Sequence, residues 1–287
     1  MKRDGEEKTP IEKSEDNKRF KGQNNNNFRG RNNNNNNQQN KNEEKDLVFN
    51  DPEIKTLFSA YSKKLDEDND RRERIVKSSR DITIQSKRVI SLLQRAVWED
   101  KNEIIKQSKQ NLQPIYKLFE VIIKELDQQE YYKFQRAFSM GIQEFVEAVS
   151  FQYYLEHSSL ISVDEIINPM KESLGLESLG QFSISLEDYA LGICDLSGEL
   201  MRYATNLCTK QKIDECFNIC SFVREMSNGF KKCHLNRDIS SKMNTMEDSL
   251  KKIEKLCFSI RVRKSEFPNV DILLGSDSMN EPMNIEN

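Results

Sequence analysis

Proline and glycine are scarce in this chain, at 6 and 10 of 287 residues. Between 46 and 267 the prolines are Pro52, Pro114 and Pro169 only. So few breakers, with no period-two alternation of apolar and polar residues, argue against strands joined by tight turns. No apolar run reaches the ~18 residues that a membrane-spanning helix needs. The opening MKRDGEEKTP has no apolar stretch of the kind found in a signal peptide. A cytoplasmic and nuclear location is expected, and the six cysteines then read as reduced thiols. Histidine occurs twice, as His157 and His234. Neither follows a glutamate at the spacing of a di-iron helical bundle. No phosphate-binding glycine loop and no Ser/His or Cys/His arrangement is present. Cys216, Cys220, Cys233 and His234 do not have the spacing of a structural zinc site. Cys216 and Cys220 fit better as buried thiols of an amphipathic helix.

What is present divides the chain into three. Residues 1–45 hold one aliphatic side chain, Ile11, beyond Met1, and two asparagine runs, 24–27 and 32–37. Such a segment buries too little apolar surface to offset its ordering entropy and is expected to be a disordered tail. Residues 46–267 are long enough for one domain with a sizeable core. A polar tail follows at 268–287. The first 45 residues carry 11 Lys and Arg against 8 Asp and Glu, which leaves 33 against 39 for the rest. An acidic body is not the usual profile of a stand-alone nucleic-acid binder, because phosphate neutralisation dominates that affinity.

The body shows the 3.6-residue apolar period throughout, so an all-α fold is expected. A first helix is expected from a cap at Asn50 or Asp51 to about Trp98, its stripe made by Ile75, Ile82, Val89, Leu93 and Ala96 with small Ser79 and Ser86. At some 45 residues it would be ~65 Å long, longer than a small domain, so part of it should pack on another subunit. Further helices are expected near Lys101–Asp127, Glu130–Glu156, Val163–Ser173, Ser185–Cys208, Lys212–Gly229 and Arg237–Arg263. Ser162 and Ser185 read as N-caps, and Ser227 to Gly229 as a helix stop.

Two of these helices carry acids where core is expected. Glu144 and Glu147 are one turn apart among Ile142, Phe145, Val146, Ala148 and Val149. Asp195 and Glu199 are four apart among Leu191, Ile193, Leu196, Leu200 and Met201, with Gly192 and Gly198 beside them. Glycine inside a helix costs ~1 kcal/mol relative to alanine, so a close approach to this backbone is expected. Should the two helices face each other, four carboxylates converge and raise one another's pKa unless a cation intervenes. Oxygen-only ligands suit Mg²⁺ or Mn²⁺. The other reading pairs each acid with a lysine or arginine on a neighbouring helix.

Several motifs in order resemble one family. RIVKSSRDITIQSKRVISLLQRA from Arg74, FQRAFSMGIQEFVEAVSFQYYLEHSSLIS from Phe134, DYALGICDLSGELMRYATN from Asp188 and LCFSIRVRKSEFP from Leu256 are similar to the translin-associated factor X branch of the translin family. The resemblance spans about Leu47 to Pro268. It implies a seven-helix subunit of a closed hetero-octamer with translin, and a Mg²⁺-dependent endoribonuclease acting on single-stranded RNA inside that shell. It implies that Glu144, Glu147, Asp195 and Glu199 are the catalytic and metal-holding acids. RNA binding, and with it DNA binding, is expected along the first helix at Arg71, Arg72, Arg74, Lys77, Arg80, Lys87 and Arg88, which would act on phosphates without reading bases. A non-catalytic scaffold that stabilises translin is the alternative.

Overall fold

A computed structural model describes residues 51–126, 131–175, 182–233 and 236–266. The expected tails, 1–45 and 268–287, and His234 lie outside the described residues. Seven α-helices are described: α1 (Pro52–Gln94), α2 (Lys101–Glu125), α3 (Tyr131–His157), α4 (Val163–Leu174), α5 (Leu186–Thr209), α6 (Ile213–Phe230) and α7 (Arg237–Glu266). The described residues contain no strand.

Capping explains where the helices start. The Asp51 carboxylate accepts from the Glu53 N–H at 2.8 Å, with Pro52 in the first turn, where its missing N–H is harmless. Ser162 and Glu165 form a reciprocal capping box on α4. The Ser185 hydroxyl accepts from the Asp188 N–H at 3.0 Å and opens α5.

The helix order places α3 and α5 at the centre. α1 packs on α2 and α3, α3 on α5, and α5 on α6 and α7. The four expected stripe residues within α1, Ile75, Ile82, Val89 and Leu93, are buried, as are Ser79 and Ser86 and, just past the helix end, Ala96. A Cβ on Gly141 of α3 would stand 2.7 Å from the Ser79 hydroxyl, so small residues let these two helices touch closely. By contrast, the first turns of α1 lie outside the core: Ile54, Leu57, Phe58, Tyr61 and Leu65 are all exposed.

α2 stops at Glu125 and α7 runs on to Glu266, a few residues from their expected ends, and the ends of α1 and α6 differ in kind. α1 stops at Gln94, and Arg95–Val97 tighten into a 3-10 turn rather than continuing to Trp98. The reason is local: Asp100 must be extended for its carboxylate to accept from the Glu103 N–H at 2.8 Å and cap α2. α6 runs through Ser227 to Gly229 and ends after Phe230. Gly229 does not take a left-handed conformation there, and Phe230 packs against the core, which carries the helix on. The left-handed glycine is instead Gly175, at φ 62°, closing α4.

Candidate metal centre and nucleic-acid face

α3 and α5 meet backbone to backbone at Gly192. A Cβ there would lie 2.7 Å from the Gln143 carbonyl oxygen and 2.8 Å from the Val146 side chain. That is the close approach expected of the α5 glycines. Gly198 does not share it, since nothing stands within 4 Å of a Cβ built there. A second tie fixes the register. Asp188, 2% exposed, accepts from Gln143 Nε2 at 2.9 Å, from the Ser185 hydroxyl at 2.7 Å and from the Ser139 hydroxyl. The residues before the first acid pair are thereby bonded to those before the second.

Glu147 sits deepest, 9% exposed. No hydrogen bond or ion pair from a described residue reaches its carboxyl. Burial pushes its carboxyl up to about 8, and the charges of Asp195, Glu144 and Glu199 push in the same direction while Lys242 opposes them. The other three predicted acids therefore all act electrostatically on Glu147, although some fifty residues separate the pairs in sequence.

The other three acids are occupied. Lys242 of α7 reaches both oxygens of Asp195, at 2.6 and 2.7 Å. Lys87 of α1 lies 3.1 Å from Glu144. Gln94, buried at the end of α1, donates from Nε2 to the Glu199 carboxylate at 2.7 Å and to its backbone carbonyl at 3.0 Å. Arg202 stands 3.7 Å from the same carboxylate. Both acceptors on Glu199 require the amide nitrogen of Gln94, which leaves its Oε1 buried without a partner. Among the described residues, no three of the Asp, Glu, Cys and His side chains stand in a metal-holding arrangement. The donor chemistry still suits a hard divalent cation: every side chain is a carboxylate, and the one cation at Asp195 is a lysine ammonium.

Gln94 and Lys242 are absent from the sequence reading. Gln94 had a signal, a lone amide in the apolar run VISLLQRAV. Lys242 had none, because α7 is polar along much of its length. The cysteine reading holds for Cys216 and Cys220, at 0% and 4% exposed. Cys208 Sγ lies 3.2 Å and Cys257 Sγ 3.9 Å from Cys216 Sγ, a clustering the spacing does not reveal.

The basic residues of α1 fall into two groups. Arg74 makes a bidentate pair with Glu125 at 2.7 and 2.9 Å, and Arg71 donates to the Glu125 carbonyl and lies over the Phe134 ring. Both are engaged with the fold. Arg72, Lys77, Arg80 and Arg88 are exposed and make no ion pair with a described residue. Lys77, Arg80, Lys87 and Arg88 share the helix face opposite the buried stripe. Arg72, Arg74, Lys77 and Arg80 line one cleft with Asp70, Glu73 and Asp81. Through Lys87 this basic face borders the acid cluster.

No helix of the described residues is long and apolar enough to cross a membrane. The model of the Translin family matches residues 70–264, which takes in α1 from its last exposed turn through most of α7. Translin-associated protein X of Rattus norvegicus is 36% identical over 245 residues, 79% of this chain and 84% of that protein. The Translin-associated protein X homolog of Schizosaccharomyces pombe is 32% identical over 217 residues, 73% of this chain and 89% of that one. Among solved structures, an AfC3PO complex with duplex RNA has a TM-score of 0.57 at 18% identity, covering 72% of this chain and 97% of that one. Apo-NeC3PO has a TM-score of 0.53 at 22% identity, with 72% and 96% covered. These two likenesses share the fold. On the family match and the two relatives, the chain belongs to the Translin family.

Proposed function

We propose that this chain is the Mg²⁺-dependent endoribonuclease subunit of a closed hetero-octamer with translin, cutting single-stranded RNA such as small-RNA passenger strands or tRNA fragments. One observation carries the reading: a buried, unpartnered Glu147 in the joint field of Glu144, Asp195 and Glu199. Lys87 and Lys242 offset charge on Glu144 and Asp195, but Glu147 has no counter-charge of its own; keeping such a carboxyl buried costs several kcal/mol, an order-of-magnitude figure, and that cost favours a use for the arrangement. The relatives named Translin-associated protein X and the fold shared with an RNA-bound C3PO support the same direction.

When bound, Mg²⁺ or Mn²⁺ lowers the pKa of a water and offsets charge developing on the scissile phosphate. The residues supply the rest. Glu144, Glu147, Asp195 and Glu199 offer oxygens from two helices. Glu147 is the base in this reading, because the other three acids are held by Lys242, Lys87 and Gln94 while the Glu147 carboxyl is not. Gln94 orients Glu199. Arg72, Lys77, Arg80 and Arg88 hold the phosphate backbone without selecting sequence, which serves DNA as well as RNA. A cytoplasmic and nuclear location suits such substrates.

A second reading, a non-catalytic scaffold that stabilises translin, is favoured by the contacts of Lys242 with Asp195 and of Lys87 with Glu144. Single-turnover cleavage of a labelled single-stranded RNA by the co-purified complex separates the two. Cleavage that requires Mg²⁺ and disappears in Asp195→Asn is expected; RNA retained but uncut with every divalent ion would favour the scaffold.

A further inference from the structure

The contact between Lys242 and Asp195 is unusual for its place. Lys242 belongs to α7, the last described helix, and lies well away in sequence from both acid pairs. Its ammonium contacts both Asp195 oxygens, 2.6 and 2.7 Å away, and its charge also lowers the pKa of Glu147. It therefore sits where its charge is shared by acids of α3 and α5. Glu147 remains without a partner while nine-tenths buried, and beside Glu199 the Oε1 of Gln94 is buried and unpaired. The cluster is thus only partly neutralised. A lysine ammonium is a compact point charge on a flexible stem of four carbons. Here it is 39% exposed, so it has a path out to solvent.

We propose that Lys242 is an internal counter-ion, holding Asp195 in the absence of a divalent cation and being displaced when one enters. The inference rests on the metal-dependent reading above and adds a regulatory element to it. Lys242 competes with the incoming ion twice, for the Asp195 oxygens and by like charge. Its removal should tighten metal binding, whereas removal of a residue that merely supports the site loosens it, by about 10–100-fold. That difference in sign is what the experiment reads.

The test uses the full-length chain co-purified with translin, with Mn²⁺ as probe and free Mn²⁺ counted by electron paramagnetic resonance. Lys242→Met keeps the length and removes the charge. Lys242→Arg keeps the charge. Because the pair is partly exposed, its loss should cost little stability, so both variants should assemble. Circular dichroism and co-purification check this. Expected is a Kd for Mn²⁺ about tenfold lower in Lys242→Met, with Lys242→Arg close to the parent. An unchanged or higher Kd in Lys242→Met overturns the counter-ion role. A parent complex whose Mn²⁺ binding is untouched by Glu147→Gln overturns the metal reading itself and the inference with it. Parent binding that Glu147→Gln abolishes, beside an unaltered Lys242→Met, overturns the inference alone.

Discussion

Gly192 and Gln143 are in backbone contact across α3 and α5: a Cβ on the glycine would lie 2.7 Å from the Gln143 carbonyl oxygen. This contact brings the acid pair of α5 within electrostatic reach of Glu147, in a distant part of the chain. Alanine at Gly192 would force the helices apart, at a cost of about 1–3 kcal/mol for overpacking. Alanine at Gly198, in the same helix with open space around it, should instead stabilise by ~0.5–1 kcal/mol. Urea unfolding of the two variants checks the contrast. Equal effects at both glycines would contradict the packing account.

Glu147 makes stability depend on pH in a stated direction. Its carboxyl is raised in the folded protein from 4.5 to about 8. The folded state therefore binds the proton more tightly than the unfolded state, and the stability from that proton is complete below pH ~4.5 and lost as pH rises through about 8. Glu147→Gln carries no such titration. With a chelator present, the variant should gain on the parent across that window, by several kcal/mol at its upper end. Denaturant melts at pH 5 and pH 8.5 measure the difference; a constant offset between the proteins would refute it.

The two groups of basic residues on α1 should behave differently toward RNA. Replacing Lys77 and Arg80 by alanine should weaken binding evenly across sequences and lower the salt slope by about 1 for each charge lost. Arg74→Ala removes the pair with Glu125 and should chiefly alter stability, by ~0–1 kcal/mol because the pair is partly exposed. Fluorescence anisotropy across a salt series reads both effects.

The exposed apolar residues of the α1 arm, among them Leu57 and Leu65, should drive association. Without translin the chain is expected to self-associate. Leu57→Asp with Leu65→Asp should reduce that association without reducing helix content, since neither side chain is in the core. Light scattering beside circular dichroism checks this. A parent chain that stays monomeric alone would count against the arm as an interface.

Much of this is legible in the sequence, and the reasons differ by residue. The four acids stood out because carboxylates in apolar helical stretches are conspicuous, and Asp51, Ser162 and Ser185 because caps obey local rules. Gly192 was legible as a close approach, whereas Gly198 looked the same in sequence and touches nothing. The end of α6 falls one residue past the expected Gly229, because Phe230 packs on the core; what the composition of Ser227 to Gly229 does not deliver is a left-handed glycine. Lys242 could not be found at all: a lysine on a polar helix carries no local mark of the acid it meets across the fold. The division of the α1 cations was equally hidden, since only the position of Glu125 decides that Arg74 is engaged and Arg80 is not.

The central claim is that the four acids serve a metal-dependent cut in RNA. Its most direct measurement is single-turnover cleavage of a labelled single-stranded RNA by the chain co-purified with translin, with Mg²⁺ or with chelator, for the parent and for Glu147→Gln. The account predicts cleavage in the parent with Mg²⁺ only, and a loss of at least about a hundredfold in the variant with RNA still bound, on the scale of removing a general base. Equal cleavage by parent and variant, or cleavage indifferent to Mg²⁺, would contradict it.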